Sequence, residues 1–185
     1  MGTALKAAAA ATAAAVAGAA TAIGALTTKA IEGYAAQEQL VGGVETLFKT
    51  SSDTVVGYAN DAYKTAGMSA NEYMETVTSF SASLLASMNN DTAAAAEKAN
   101  VAITDMSDNA NKMGTDISLI QNAYNGFAKQ NYTMLDNLKL GYGGTKEEMQ
   151  RLLDDASKLS GIKYDISSYS DVVDAIHVVQ TEMGI

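Results

Sequence analysis

Proline, cysteine and tryptophan are absent from this 185-residue chain, and histidine occurs once. At about 5% average usage roughly nine prolines would be expected. Without them no residue must break a helix, and tight turns fall to Gly, Asn and Asp. Pro-rich linkers, collagen repeats and mucin-like stalks are excluded. The lack of cysteine removes disulfide scaffolds, thiolate zinc sites, iron–sulfur clusters and thiol catalysis together. A single histidine leaves no multi-histidine metal site. Positive charge is also scarce: 12 Lys and Arg face 21 Asp and Glu, for a net charge of -9. Residues 1–92 carry 4 basic and 8 acidic groups, and residues 93–185 carry 8 and 13. With no basic half, neither phosphate-backbone binding nor attraction to an anionic membrane is the expected task.

What is present is alanine, then amphipathic helix. Ala7 to Thr28 is a run of 22 uncharged residues between Lys6 and Lys29, 13 of them Ala. The length could cross a bilayer. However, only Val16, Ile23 and Leu26 insert favourably, at about -0.3 to -0.6 kcal/mol each. A packing helix, a conditional membrane segment and a diffuse signal sequence are all compatible with it, and small residues at this density favour close self-association. Residues 1–32 are therefore read as an Ala-rich low-complexity helical segment and 33–185 as a separate helical domain.

Helix signals punctuate that domain. Ser69–Glu72 and Thr145–Glu148 have capping-box spacing. After the first, Tyr73, Val77, Phe80, Leu84 and Met88 form one apolar stripe, widened by Met74 and Leu85. Asn89, Asn90 and Asp91 read as a turn and cap. Ile103, Met106, Ala110 and Met113 precede Gly114, which suits a left-handed helix end. Ile117, Ile120, Tyr124 and Phe127 repeat the spacing. Met149, Leu152, Leu153, Ala156 and Leu159 follow the second box and stop at Gly161, and Val172, Val173, Ile176, Val179 and Met183 precede Gly184. Asn137–Gly144 and Ile162–Ile166 break the pattern as loops or a brief extended pair. The expected fold is all-α: a long Ala-rich N-terminal helix followed by a bundle or extended array of amphipathic helices.

Candidate chemistry is sparse. His177 flanks the last apolar stripe and reads as structural or surface. Asp105, Asp108, Asn109 and Asn111 cluster without the D-x-[DN]-x-[DN]-G order of a calcium loop. Gly141–Lys146 opens a helix and could offer amides to an anion, yet it lacks P-loop spacing and a preceding strand. Glu147 with Glu148, and Asp154 with Asp155, are adjacent acids on one helix. They cannot face each other across a cleft as glycosidase chemistry requires, and read as solvated charge. Nine tyrosines against three phenylalanines fall partly on the stripes, which favours core or partner contact over nucleic-acid stacking. No catalytic, cofactor-binding or metal residue is assigned, and no enzyme activity is expected.

A resemblance extends this reading. The strings Glu38–Lys49, Tyr63–Glu75, Ala102–Gly114 and Gly126–Gly144, continuing through Ala175–Met183, resemble phage tail tape measure proteins of Gram-positive prophages. The similarity runs from about Ile31 to the end, and the Ala-rich start resembles the low-complexity helix that precedes this region in such proteins. Membership implies a helical scaffold in the lumen of a siphophage tail, which sets tail length during assembly and leaves with the DNA at infection. The implied partners are the tail-tube protein, tail-assembly chaperones and distal-tail or baseplate proteins; the implied locations are the host cytoplasm during assembly and the virion tail lumen. As one helix the 185 residues would reach about 280 Å, while family members are usually several times longer. The chain is therefore expected to be an N-terminal fragment or a truncated product. The alternative is a membrane-active helical protein, pore-forming or holin-like, that contacts the host membrane through residues 7–28.

Overall fold

In the computed structural model, which describes residues 35–185, the five helices from Ala70 onward each start at a Ser, Thr or Asp whose side chain accepts from a free backbone amide. Residues 35–48 form α1, followed by a 3-10 turn at Lys49–Ser51 and then α2, Ser52–Thr65. Next come α3, Ala70–Ser87, α4, Thr92–Met113, and α5, Ile117–Phe127. A second 3-10 turn, Leu135–Leu138, precedes α6, Lys146–Ser160, and α7, Tyr169–Glu182. Among the described residues there is no strand, so the all-α expectation holds there. The loop alternative holds for Ile162–Ile166, and the proposed long N-terminal helix lies outside the described residues.

The capping arithmetic works with one difference. The Ser69 Oγ accepts from the Glu72 amide at 3.2 Å and the Thr145 Oγ1 accepts from the Glu148 amide at 3.2 Å. Neither return bond of the box forms among the described residues. The Glu148 carboxylate reaches past Thr145 to the Gly143 amide at 3.1 Å, so its side chain ties the loop to the first turn of α6 while its backbone amide is held by the Thr145 cap. Asp91 caps α4 by accepting from the amides of Ala93 and Ala94, after Asn89 and Asn90 turn the chain through φ 54° and 60°. Gly114 and Gly161 end α4 and α6 at φ 62° and 74°, the left-handed geometry that glycine adopts without strain.

Leu40–Ile185 forms one compact unit around a single apolar core. Val44 and Phe48 of α1, Val55 and Ala59 of α2, Phe80 and Leu84 of α3, Ile103 and Met106 of α4 and Ile120 of α5 are all buried in it. From the C-terminal part, α6 adds Leu152 and Leu153, and α7 adds Val172 and Ile176. Chain neighbours pair first: α2 with α3, α3 with α4, α4 with α5, and α6 with α7. The last helix then returns across the fold to pack on both α3 and α4. The Phe80 and Tyr169 rings meet edge to face, with centroids 6.2 Å apart.

Two stripe residues depart from the expectation. Leu159 is 49% exposed and Met183 is 43% exposed, because the last turn of α6 runs past the core and Met183 follows the end of α7, whose own last turn still buries Val179 and Gln180. Periodicity extends an apolar face along a helix but does not report where the covering surface ends.

Candidate functional site

Asp105 is the one charged residue in the buried class among the described residues. It sits on α4 one turn before Asn109, and this i, i+4 spacing points both side chains at α7. His177 of α7 places Nδ1 3.0 Å from each oxygen of the Asp105 carboxylate. One turn on, the buried Gln180 accepts from Asn109 Nδ2 at 2.8 Å, while the same amide reaches the Leu138 carbonyl at 3.0 Å. At the other end of the seam, Lys98 of α4 pairs with Asp174 of α7. Three polar rungs therefore join α4 to α7 in the same chain order, set into an interface otherwise made of apolar side chains.

Electrostatics within the seam are uneven. Burial raises the Asp105 carboxyl to about 6, against the opposing pull of its hydrogen bond from His177. Asp108 and Asp174 raise it further by repulsion. On α5, the Tyr124 phenol is fully buried, and burial, with the Asp105 charge next, pushes it well above its ordinary range. Its hydroxyl has no hydrogen-bond partner, and neither does the side-chain oxygen of Asn109, whose two bonds are both donated by Nδ2. An unpartnered buried hydroxyl costs on the order of 1–3 kcal/mol. Tyr124→Phe is accordingly expected to stabilise the fold by about 1 kcal/mol, read from urea unfolding midpoints. A loss of stability would instead mean that an internal water serves the hydroxyl.

The arrangement orients an imidazole, half exposed, whose other nitrogen carries no described bond. Orientation alone does not make a catalytic centre, which also needs a nucleophile or substrate pocket within reach. Cavities among the described residues include ones between α3 and α5 beside Thr76 and Gln121, by Ser87 and Phe127, beside Tyr164, and around Gly67, none of them lined by Asp105 or His177. Comparisons with protein-family models, curated proteins and solved structures return no match.

The other groups singled out in the sequence fall into place around it. The Asp105 to Asn111 cluster is divided: Asp105 and Asn109 turn inward, while Asp108 and Asn111 face solvent. No grouping of three or more His, Asp or Glu side chains suited to a metal occurs among the described residues. The Gly141–Lys146 loop is closed to an anion at Gly143, whose amide is held by Glu148. Arg151 completes this lock. It donates to the Gly141 carbonyl at 2.9 Å, pairs with Glu148, and lies 4.3 Å from the centre of the Tyr142 ring. Of the adjacent acids, Glu147 and Asp154 are exposed, but Asp155 is half-buried, pairing with Lys158 at 2.8 Å and accepting from the Tyr142 hydroxyl at 3.1 Å. The reading of all four as solvated charge is thus too simple. Sequence inspection missed the Asp105–His177 pairing, whose members lie 72 positions apart.

Proposed function

We propose that this chain is a segment of a phage tail tape measure protein, a helical scaffold in the tail lumen that sets tail length and departs with the DNA. The reading is supported by the resemblance of Gly126–Gly144 to that family, because these residues build a specific structure. Gly126 approaches the Asn131 carbonyl, and Gly144 approaches that of Thr133. A string so constrained is not a generic helix composition. In this reading a long Ala-rich N-terminal helix is followed along the chain by a bundle or extended array of amphipathic helices, and residues 7–28 contribute reach and self-association. Tail-tube subunits, tail-assembly chaperones and distal-tail or baseplate proteins are the partners, and the work is geometric rather than catalytic.

Duplicating Ala7–Thr28 in the encoding phage tests this directly. The 22 added residues, each rising about 1.5 Å in a helix, should lengthen the tail by about 33 Å. Electron microscopy of purified virions would measure it, and an unchanged mean length would refute a ruler role for that segment.

The uncharged run itself favours a second reading, in which residues 7–28 act on a membrane. Among the described residues no helix is long and apolar enough to span one, and residues 7–28 lie outside them. Liposome co-sedimentation of the full chain, with and without residues 1–30, separates the two readings. Failure of the full chain to bind removes the membrane alternative.

A further inference from the structure

We propose that the α4–α7 seam is a proton-controlled latch, which holds α7 against α4 when the Asp105 side chain is protonated and loosens it when that carboxyl is charged. The geometry carries the inference. Asp105 is enclosed between two helices, touches the α7 imidazole with both oxygens, and has a repelling Asp108 on its own helix and Asp174 facing it from α7. Asp174 is itself tied to Lys98, which draws the only seam lysine away from Asp105. The Tyr124 phenol, contributed by α5, is unpartnered and adds no charge of its own. His177 is thus the one group that favours the Asp105 anion, and it sits at the solvent edge, where it can leave.

A buried carboxylate so poorly compensated makes the folded state hold its proton more tightly than the unfolded chain does. The folded value of about 6 lies above the ordinary 3.8. Stability from this group is therefore complete below about 4 and is lost as pH rises through about 6. Because α7 is the element that the pair holds, the loss should appear first in α7. The remaining anchors, Asn109–Gln180 and the apolar face, keep it from detaching outright.

Hydrogen exchange of the full-length chain, corrected for intrinsic exchange rates, reads the latch. Between pH 5 and pH 8 the opening constant of α7 should rise about tenfold in the wild type and stay flat in Asp105→Asn. In His177→Ala the rise should move to higher pH, because the imidazole hydrogen bond is what holds the carboxyl down. Carbon-13 titration of the wild-type Asp105 carboxyl gives an independent reading should the Asn variant fail to fold. A midpoint near 6 with a pH-dependent α7 supports the latch. A midpoint near 4, or α7 exchange that is flat or slows with rising pH, overturns it.

Discussion

Gly144→Ala should destabilise the fold by about 3 kcal/mol or more, well above the usual effect of a loop substitution. A methyl placed there would lie 2.2 Å from the Thr133 carbonyl oxygen and 2.9 Å from its carbon. Both obstructing atoms are backbone, so no side chain can swing aside. Thr133 cannot retreat cheaply either, since Asn131 holds it by accepting from both its amide at 3.1 Å and its hydroxyl at 2.8 Å. The movement would pass to Thr145, the cap of α6, and to the Glu148–Arg151 lock. Gly141→Ala is the informative comparison. At φ 85° it meets no atom within 4 Å, so it should cost only the backbone strain of a left-handed residue, about 1 kcal/mol. Chemical denaturation of the two variants checks the pair; equal losses would mean that the loop relaxes away from Thr133.

Phe80→Ala should cost about 3–5 kcal/mol and lower the melting temperature by roughly 10 °C. The ring is 2% exposed, and its edge-to-face partner Tyr169 belongs to α7, so the substitution opens a cavity at the closure between the two halves of the helical order. The cost rises with how little the walls can collapse. Here one wall is fixed, because the Tyr169 hydroxyl donates to the Tyr124 carbonyl at 3.3 Å and the Ser170 amide donates to Ser87 Oγ at 3.1 Å. Phe80→Leu, which keeps most of the volume, should lose far less. A thermal melt of Phe80→Ala within 2 °C of the wild type would show that the cavity refills.

Much of this architecture could be read from local signals. Ser69, Asp91 and Thr145 mark helix starts, and Gly114 and Gly161 mark ends, because capping depends only on residues within one turn. The stripes through Phe80, Ile103, Tyr124 and Ile176 identify core faces for the same reason. The seam could not be read in that way. Asp105 and Asn109 share a face by spacing alone, but nothing near them announces that His177 and Gln180 will lie opposite, since that depends on how α7 crosses the finished core. The fate of Glu148 was also hidden. Its spacing from Thr145 predicts a return bond to the cap, and the structure sends the carboxylate two residues further because the glycine-rich loop folds back within its reach.

The late return of α7 carries a cost in time. Phe80 of α3 waits for Tyr169, roughly ninety residues downstream, before its ring is covered. At the 5–20 residues per second typical of synthesis, that interval is about 5–20 s. Throughout it the parts of α3 and α4 that α7 will cover stay open, and two such chains on neighbouring ribosomes could pair through them before either completes itself. Synthesis rate, more than final stability, should therefore govern the yield of correctly closed molecules.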